Sequence, residues 1–566
     1  MCKLELIRLD NISYTYPGAP SPALRDISLC INEGETVLLC GCSGSGKTTL
    51  LKLICGLLPQ GGAKSGKVMF RGSEYVEKAP FECAFVGHDP FPDTESQLTA
   101  GQFLTRAAAG RANMTEAGLI AAEAANYFGL DGLISKQIGV LSGGQRQLLR
   151  LAAAASALPA LLLLDEPTAY LDPIASVEFE NSLGRINKEL GITAVFTEHR
   201  TEEIFPYADR VIVLDGGRLL FSGPPEEAAK AVLRSESADK LTDTLPCPLR
   251  IALGGGILDD GAAPPLTVKD GRALLENAVG TGITSIPPRA RMPHGARTIE
   301  LKKVYFRYGR QLPDILGGLD ISVCAGEAFF LMGGNGAGKS TALSIACGRL
   351  SPYRGAAYIN GRRIKRADGR PADGCAYLPQ NPLELLCGDT VYSSLKAAAY
   401  PYTRGGAESE KRILSAAELL EIRGLLDRRV SELSGGEVQK CALACVLVCD
   451  CAAVILDEPA KGLDAHFRKR LGMIYDTLKM RNAAVLTVTH DAEFAADNAD
   501  RCALLFDGIA ISEGSAEEFF GRNFFFTSPA SVITRGIIDG AVTADSAAAA
   551  LRLSRTDRSD AYNTDR

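Results

Sequence analysis

Two glycine-rich segments carry the residues best suited to hold a phosphate group. The first is GCSGSGKT, residues 41–48, and the second is GGNGAGKS, residues 333–340. Each follows a short apolar run and precedes a helical stretch, the strand–loop–helix setting of a phosphate-binding loop. Glycines let the backbone curl so that successive N–H groups point at the phosphates, and the helix N-terminus adds its positive end. A glycine-rich turn before an ordinary helix is the alternative, and two matches in register argue against it.

The side chains of these loops predict ATP as the substrate and Mg²⁺ as its cofactor. Lys47 and Lys339 would bridge the β- and γ-phosphates, while Thr48 and Ser340 would offer a hydroxyl to Mg²⁺. The other predicted nucleotide-binding residues of the two loops are Gly41, Gly44, Gly46, Thr49, Gly333, Gly336, Gly338 and Thr341.

Paired carboxylates end two apolar runs downstream of the loops. LLLLDE ends in Asp165 and Glu166, and AVILDE ends in Asp457 and Glu458. Interpreted as buried parallel strands, these runs deliver both acids to the edge of the sheet where ligands bind in open α/β folds. The aspartates would support Mg²⁺, and the glutamates would polarise the attacking water. An acidic pair that only caps the next helix is the alternative reading of one such run alone.

These residues recur at a nearly constant spacing, which indicates two whole domains. Lys47 and Lys339 differ by 292 positions, as do Glu166 and Glu458, while His199 and His490 differ by 291. A repeat of this length is too long for a solenoid unit. We therefore predict an α/β chain with two tandem P-loop NTPase domains, each built on a mostly parallel sheet.

A third repeated motif separates this chain from other phosphate-loop ATPases. LSGGQ, residues 141–145, recurs as LSGGE, residues 433–437, and in each half 24 residues separate its serine from the glutamate, Ser142 from Glu166 and Ser434 from Glu458. With this motif opening a helix just before the acidic strand, the chain resembles the ABC-type ATPases. The resemblance implies an antiparallel β subdomain and a helical subdomain that carries the motif. It also implies that Ser142, Gly144, Ser434 and Gly436 of one half close over the nucleotide of the other half, so that the halves form a pseudo-dimer.

The same resemblance assigns further positions. Tyr16 and Tyr308 resemble the aromatic residue on which adenine stacks, and His199 and His490 match the switch histidine that would hold the catalytic glutamate. Asp172 and Asp464 resemble the loop through which the halves sense each other.

One position departs from the repeat. Gln380 matches the glutamine whose side chain reaches Mg²⁺ and whose loop meets the membrane partner, whereas His88 stands at that place in the first half. Both follow the loop lysine by 41 residues, from Lys47 to His88 and from Lys339 to Gln380. Because an imidazole suits a hard Mg²⁺ less well than an amide oxygen, we expect the first half to hydrolyse ATP less well.

The rest of the chain predicts the domain limits. We expect ATPase domains over residues 1–228 and 298–526, a linker with a small helical appendage over 229–297, a second appendage over 527–553 and a disordered tail over 554–566. The 16 cysteines include no CxxC pair, which argues against a zinc ribbon or iron–sulfur cluster. No apolar run is long enough to span a bilayer. A net charge of −6 gives no bulk footprint for nucleic acid, so no nucleic-acid partner is expected.

Three function classes use ABC-type ATPase domains, and two of them need features that this sequence lacks. A translation factor of the ABC-F kind would need a long, charged, helical linker, whereas this linker is neutral and broken by Pro-Pro and Gly-Gly-Gly. DNA-repair and chromosome ATPases split the signature from the phosphate loop with a zinc module or a very long coiled coil, whereas only 95 residues separate Lys47 from Ser142. A transport motor fits best, placed peripherally at the cytoplasmic face of the membrane and bound to integral coupling and substrate-binding subunits. TEHR at residues 197–200, QNP at 380–382 and the LSGGE variant resemble the energy-coupling-factor importers of vitamins, cobalt or nickel. The fused ATPases of sugar importers remain the alternative.

Overall fold

The computed structural model describes most of the chain. The described residues are 4–75, 82–87, 91–110, 113–168, 171, 173–198, 201, 204–258, 263–279, 284–286, 295–365, 369–403 and 405–553. His88, Asp172, His199 and the tail from residue 554 lie outside them. The backbone divides into two compact units, one of residues 1–250, 258–270 and 464–466, the other of 251–257, 271–463 and 467–566. The predicted linker therefore contributes residues to both units.

The first half contains these strands: β1 (Glu5–Thr15), β2 (Leu24–Asn32), β3 (Thr36–Cys40), β4 (Ala63–Phe70), β5 (Ser73–Glu74), β6 (Cys83–Val86), β7 (Leu161–Asp165), β8 (Thr193–Thr197), β9 (Arg210–Asp215) and β10 (Arg218–Gly223). Its helices, with those that follow it, are α1 (Lys47–Ile54), α2 (Asp93–Ser96), α3 (Ala100–Ala108), α4 (Met114–Tyr127), α5 (Gly143–Ser156), α6 (Pro173–Leu190), α7 (Pro225–Leu233), α8 (Ala238–Thr242), α9 (Cys247–Gly254) and α10 (Val268–Val279).

The second half contains these strands, after the short linker strand β11 (Thr284–Ser285): β12 (Arg297–Phe306), β13 (Leu316–Cys324), β14 (Ala328–Met332), β15 (Arg354–Ile359), β16 (Arg362–Arg363), β17 (Cys375–Leu378), β18 (Ala453–Asp457), β19 (Ala484–Val488), β20 (Arg501–Phe506), β21 (Ile509–Ser515) and β22 (Ile538–Asp539). Its helices are α11 (Lys339–Ala346), α12 (Val391–Thr403), α13 (Ala407–Leu419), α14 (Gly435–Leu447), α15 (Ala465–Met480), α16 (Ala492–Asn498), α17 (Ala516–Arg522) and α18 (Pro529–Thr534).

Each half is built on a six-stranded sheet with one antiparallel edge strand. The strand order is β10-β9-β3-β8-β7-β6 in the first half and β21-β20-β14-β19-β18-β17 in the second. The central strands pair in parallel, and only β10 and β21 run antiparallel to their neighbours. Strands β7 and β18 are buried at every position because both faces of the sheet are covered, which explains their continuous apolar runs.

Each half also contains the two smaller parts that the ABC resemblance implies. A four-stranded antiparallel sheet has the order β2-β1-β4-β5 in the first half and β13-β12-β15-β16 in the second. Helices α3, α4 and α5 pack together in the first half, as α12, α13 and α14 do in the second. The predicted fold class is therefore confirmed, down to the antiparallel and helical subdomains.

Segments that follow the two halves pack against each other within the second unit. Strand β11 pairs in parallel with β22, and the Ile286 amide donates to the Asp539 carbonyl at 3.0 Å. The Arg272 guanidinium donates to the Arg535 carbonyl at 2.9 Å. The chain continues into a helix over residues 544–553. The two repeated segments thus share backbone hydrogen bonds with each other.

Candidate nucleotide-binding sites

The two glycine-rich loops have the same left-handed backbone at matching positions. In the first loop, φ is 145° at Gly41, 76° at Gly44 and 98° at Gly46. The second loop repeats these angles as 151° at Gly333, 77° at Gly336 and 99° at Gly338. A side chain is strained at such angles, and one at Gly41 or Gly333 would also run into a backbone carbonyl of the neighbouring strand end. The loops therefore need glycine there to form the curl that presents their amides.

The loop lysines begin helices α1 and α11 and fold back over their own loops. The Lys47 ammonium donates to the carbonyls of Gly41 and Cys42 at 2.7 and 3.0 Å. The Lys339 ammonium donates to Gly333 and Gly334 at 2.9 Å each. Both lysines are buried, so each charge is held inside the curl of its loop. A phosphate that enters the loop meets this ammonium together with the helix N-terminus, a strong anion-binding combination.

The residues that would hold Mg²⁺ differ between the halves. In the first, Asp165 Oδ1 accepts hydrogen bonds from the hydroxyls of Thr48 at 3.0 Å and Thr197 at 2.9 Å. In the second, Asp457 Oδ2 is buried and has no hydrogen-bond partner among the described residues. Burial raises the pKa of Asp457 to about 6, although a hydrogen bond with Ser340 opposes this shift. An unpartnered buried carboxylate oxygen beside a hydroxyl is the kind of group that Mg²⁺ binding would satisfy. Gln380 is exposed at the end of the adjacent strand β17.

The candidate catalytic glutamates directly follow β7 and β18 in an unusual conformation. Glu166 has φ 48° and Glu458 has φ 51°, both in the left-handed region that non-glycine residues rarely adopt. In both halves the amide of this residue is tied to the neighbouring strand. Glu166 N donates to Thr197 Oγ1, and Glu458 N donates to the Val488 carbonyl, each at 2.9 Å. Strain of this kind persists only where the surroundings fix it and is common at active sites.

The second half shows how its glutamate is held. Glu458 Oε1 lies 2.7 Å from His490 Nδ1, and Oε2 accepts from the Thr489 hydroxyl at 3.1 Å. Burial alone would raise the pKa of Glu458, but the bond to His490 and the charges of His490 and Lys461 hold that pKa below its ordinary value. Glu458 is 9% exposed, so these partners offset the effect of its burial and favour the ionised form. The equivalent His199 lies outside the described residues.

Sequence reasoning missed a group of residues around these acids. Glu198, only 5% exposed, accepts a hydrogen bond from the Thr168 amide at 2.8 Å and so anchors the turn after Glu166. In the second half the buried Gln439 amide donates to the carbonyls of Glu458 and Pro459 at 3.3 and 3.0 Å. A signal for Glu198 was available, since a carboxylate precedes His199 where Thr489 precedes His490.

The candidate adenine-stacking tyrosines lie just beyond the first strand of each half. The Tyr16 hydroxyl lies 3.1 Å from Thr49 Oγ1, and the Tyr308 hydroxyl lies 3.1 Å from Thr341 Oγ1. Each threonine follows the predicted Mg²⁺ hydroxyl in its loop, so each ring stands beside the phosphate-binding helix. Tyr308 is 64% exposed, which leaves one face available for stacking.

The signature serines cap helices α5 and α14. Ser142 Oγ accepts from the Gln145 amide at 3.2 Å, and Ser434 Oγ accepts from the Glu437 amide at 3.4 Å. The Gln145 and Glu437 side-chain oxygens in turn accept from the Ser142 and Ser434 amides at 3.0 and 2.8 Å, which completes a capping box in each half. Both serines are exposed, so their hydroxyl protons and the helix N-termini are open to an anion. Gly144 and Gly436 lie in the first turn of these helices, close to Ala175 and to the Gly462 carbonyl respectively.

Two further observations concern metal clusters and membrane-spanning helices. Along the described ranges, no group of three or more histidine, cysteine, aspartate or glutamate residues forms a metal cluster. None of the helices that the structure describes is both long and apolar enough to span a bilayer.

The chain matches known proteins over nearly its whole length. The profile of the ABC transporter family matches residues 24–169 and 316–461. An ABC transporter ATP-binding protein of Bacillus thuringiensis is 34% identical over 543 residues, 94% of this chain and 96% of that protein. One from Methanosarcina mazei is 30% identical, over 91% of this chain and 90% of that protein.

A solved structure is similar over the same span. An archaeal ribosome recycling factor, in complex with a ribosomal stalk protein, covers 90% of this chain and 91% of its own, with a TM-score of 0.56 and 19% identity. At that identity the likeness concerns the fold alone. The family match and the two relatives carry the assignment. The chain belongs to the ABC transporter family and contains two of its ATP-hydrolysing domains in tandem.

Proposed function

We propose that this protein is the ATP-driven motor subunit of an ABC importer of the energy-coupling-factor class. It would act at the cytoplasmic face of the membrane, with integral coupling and substrate-binding subunits, in the uptake of a vitamin or a transition-metal ion. The observation that carries the proposal is the presence of two complete sets of loop lysine, acidic pair and signature serine in one chain. The names of the relatives support transport, and the short motifs TEHR and QNP support the class.

The chain's own residues explain ATP hydrolysis by positioning and charge. The loop amides and Lys339 would bind the phosphates, and the Glu458 carboxylate, held by His490 and Thr489, would orient and polarise the attacking water. Ser340, Asp457 and Gln380 would hold Mg²⁺, which when bound neutralises charge on the phosphate oxygens. In the first half, Thr48 and Asp165 would take the same part.

We further propose that each nucleotide-binding site is completed by the signature serine of the opposite half. The first loop would then work with Ser434 and the second loop with Ser142. The test uses the full chain with only one of its two candidate catalytic glutamates intact. In a Glu166→Gln background, Ser142→Arg should abolish the remaining hydrolysis, and Ser434→Arg should leave most of it. The opposite pattern would refute this pairing.

The transport role is tested by location and by uptake. In cells with the native membrane partners, the protein should sediment with membranes and move to the soluble fraction when the gene for the coupling subunit is deleted. Uptake of labelled cobalt, nickel or vitamins should fail without the chain and return with the wild type but not with the Glu166→Gln/Glu458→Gln double variant. Sedimentation with ribosomes, and uptake that does not depend on the chain, would exclude transport and favour a translation factor. Loss of sugar uptake alone would favour the sugar-importer alternative.

A further inference from the structure

A cavity of about 510 Å³ lies in the second half, away from its phosphate loop. It opens between α13, the end of α14 and the last turns of α15. Its floor is apolar, formed by Leu419, Leu447 and the buried Ile474 and Leu478. Its volume falls within the range of small-molecule sites, roughly 300–1,000 Å³. No step of ATP binding or hydrolysis described above uses this cavity.

The first half shows what this space accommodates. At the end of α4, Tyr127 occupies the position that Leu419 has at the end of α13. The Tyr127 hydroxyl donates to Glu189 Oε2 at 2.8 Å, and the Arg185 guanidinium stacks over its ring at 4.2 Å. Thr477 stands where Arg185 stands in the first half, by the same 292-residue spacing. The first half therefore fills this place with its own phenol ring and a carboxylate, whereas the shorter Leu419 and Thr477 leave it open.

The rim of the cavity favours an acidic occupant. Lys411, Arg412 and Arg481 face it, against two carboxylates, Glu408 and Asp450. Arg412 pairs with Glu408 at 2.9 Å and with Asp450 at 3.7 Å, so its guanidinium is held at the rim. Arg481 also pairs with Asp450, at 3.6 Å. These five side chains carry a net charge of +1, which complements the single negative charge of one carboxylate. A guanidinium group also has the geometry to bind a carboxylate through two hydrogen bonds.

We propose that this cavity is a binding site for a small aromatic carboxylate. The ring would lie on Leu419, Leu447 and Leu478 in the place that Tyr127 fills in the first half, and the carboxylate would reach Arg412 and Lys411. The site joins α13, which belongs to the helical subdomain that carries Ser434, to α15, which follows the Asp457–Glu458 pair. A ligand there would contact both parts of the second half.

The test measures binding of 4-hydroxyphenylacetate to the full chain by titration calorimetry and ligand-observed NMR. The wild type should bind one equivalent. The filled variant Leu419→Tyr/Thr477→Arg, which introduces the ring and the guanidinium that the first half has at these two positions, should weaken binding at least tenfold. Arg412→Gln should weaken it severalfold without filling the space, and the uncharged 4-hydroxyphenylacetamide should bind more weakly than the acid. Thermal melting and binding of a fluorescent ATP analogue check that each variant is folded.

The reverse exchange provides a matched control in the same chain. Tyr127→Leu/Arg185→Thr should open the corresponding place in the first half but add no second equivalent of the acid, because Leu119 and Ile120 stand there in place of Lys411 and Arg412. The proposal is overturned if the wild type does not bind the probe at millimolar concentration. It is also overturned if the folded filled variant binds as tightly as the wild type, or if the amide binds as well as the acid.

Discussion

The contact between His490 and Glu458 gives the sharpest prediction for catalysis. His490→Ala removes the group that lies 2.7 Å from Glu458 Oε1 and leaves the carboxylate with the Thr489 hydroxyl at 3.1 Å. The carboxylate remains buried, so the lost partner is not replaced fully by water. A hydrogen bond to a charged group contributes about 1.5–3 kcal/mol. If this energy positions the catalytic carboxylate, its loss should slow hydrolysis roughly ten- to 150-fold.

The same change should alter the pH dependence in a defined direction. Burial raises the pKa of Glu458 and His490 lowers it, so the pKa should rise when His490 is removed. Because the ionised carboxylate is the form that polarises water, the acidic limb of the rate profile should move to higher pH. The linkage has a matching sign. Because the folded-state pKa of Glu458 lies below its ordinary pKa, its carboxylate stabilises the folded protein at any pH above the ordinary pKa. This stabilisation is lost as the pH falls through the folded-state pKa.

The assay is steady-state ATP hydrolysis from pH 5 to 9 in a Glu166→Gln background, which reduces the contribution of the first half. His490→Gln is the matched control, because its amide can still donate to the carboxylate and should recover part of the rate. An unchanged acidic limb in His490→Ala, with a rate within twofold of the background, would show that the histidine does not hold the glutamate. Nucleotide affinity measured in parallel separates a loss of binding from a loss of turnover.

Three further predictions concern the difference between the halves. Glu458→Gln should abolish nearly all ATP hydrolysis, Glu166→Gln should leave more residual activity, and His88→Gln should raise turnover. Equal losses from the two glutamate variants, without a gain from His88→Gln, would show that the two sites are equivalent. Thr197→Val, which copies Val488, should leave Asp165 Oδ1 with one hydroxyl donor, Thr48, instead of two and so increase Mg²⁺ affinity in a Glu458→Gln background, measured by Mg²⁺ titration of ATP binding; unchanged affinity would contradict this. Asp457→Asn should raise the melting temperature of the nucleotide-free protein relative to wild type increasingly between pH 4 and 7. The folded-state pKa of Asp457, about 6, exceeds its ordinary 3.8, so its favourable contribution is lost as the pH rises through 6; a difference independent of pH would refute the shift.

The sequence predicted the parts of the fold and site whose chemistry demands fixed residue types at fixed spacing. A phosphate loop needs glycine at left-handed positions such as Gly41 and Gly333, and the chain shows this pattern twice. Strands β7 and β18 were recognisable because burial on both faces gives an uninterrupted apolar run that ends at the acids. Local signals of this kind survive without knowledge of the tertiary structure.

Contacts between distant residues could not be predicted in the same way. The bond from the Thr168 amide to Glu198 joins residues 30 apart, and it depends on where β8 ends relative to β7. The role of Thr197 could not be recognised from the repeat, because the spacing between equivalent residues falls from 292 at the acidic pair to 291 at the histidine. Thr197 is matched with Val488 only by the strand pairing, which places each of them opposite the aspartate of its half. The open cavity at Leu419 depends on the size of a neighbouring side chain, for which the periodicity of α13 gives no signal.

The structure gives a reason for unequal halves that is independent of His88. In each half the Mg²⁺-supporting aspartate has a hydrogen bond with the loop hydroxyl, Thr48 or Ser340, but Asp165 also accepts from Thr197, whereas Val488, which has no hydroxyl, stands opposite Asp457. A metal ion or its water shell must therefore compete with one more hydroxyl in the first half. In the second half, Oδ2 of Asp457 is buried and lacks a partner among the described residues, and burial disfavours its ionised form. A cation would satisfy that oxygen and offset the cost of its burial, so Mg²⁺ should gain more at the second half. This difference and the presence of His88 in the first half, where the second half has Gln380, therefore both favour turnover at the second half.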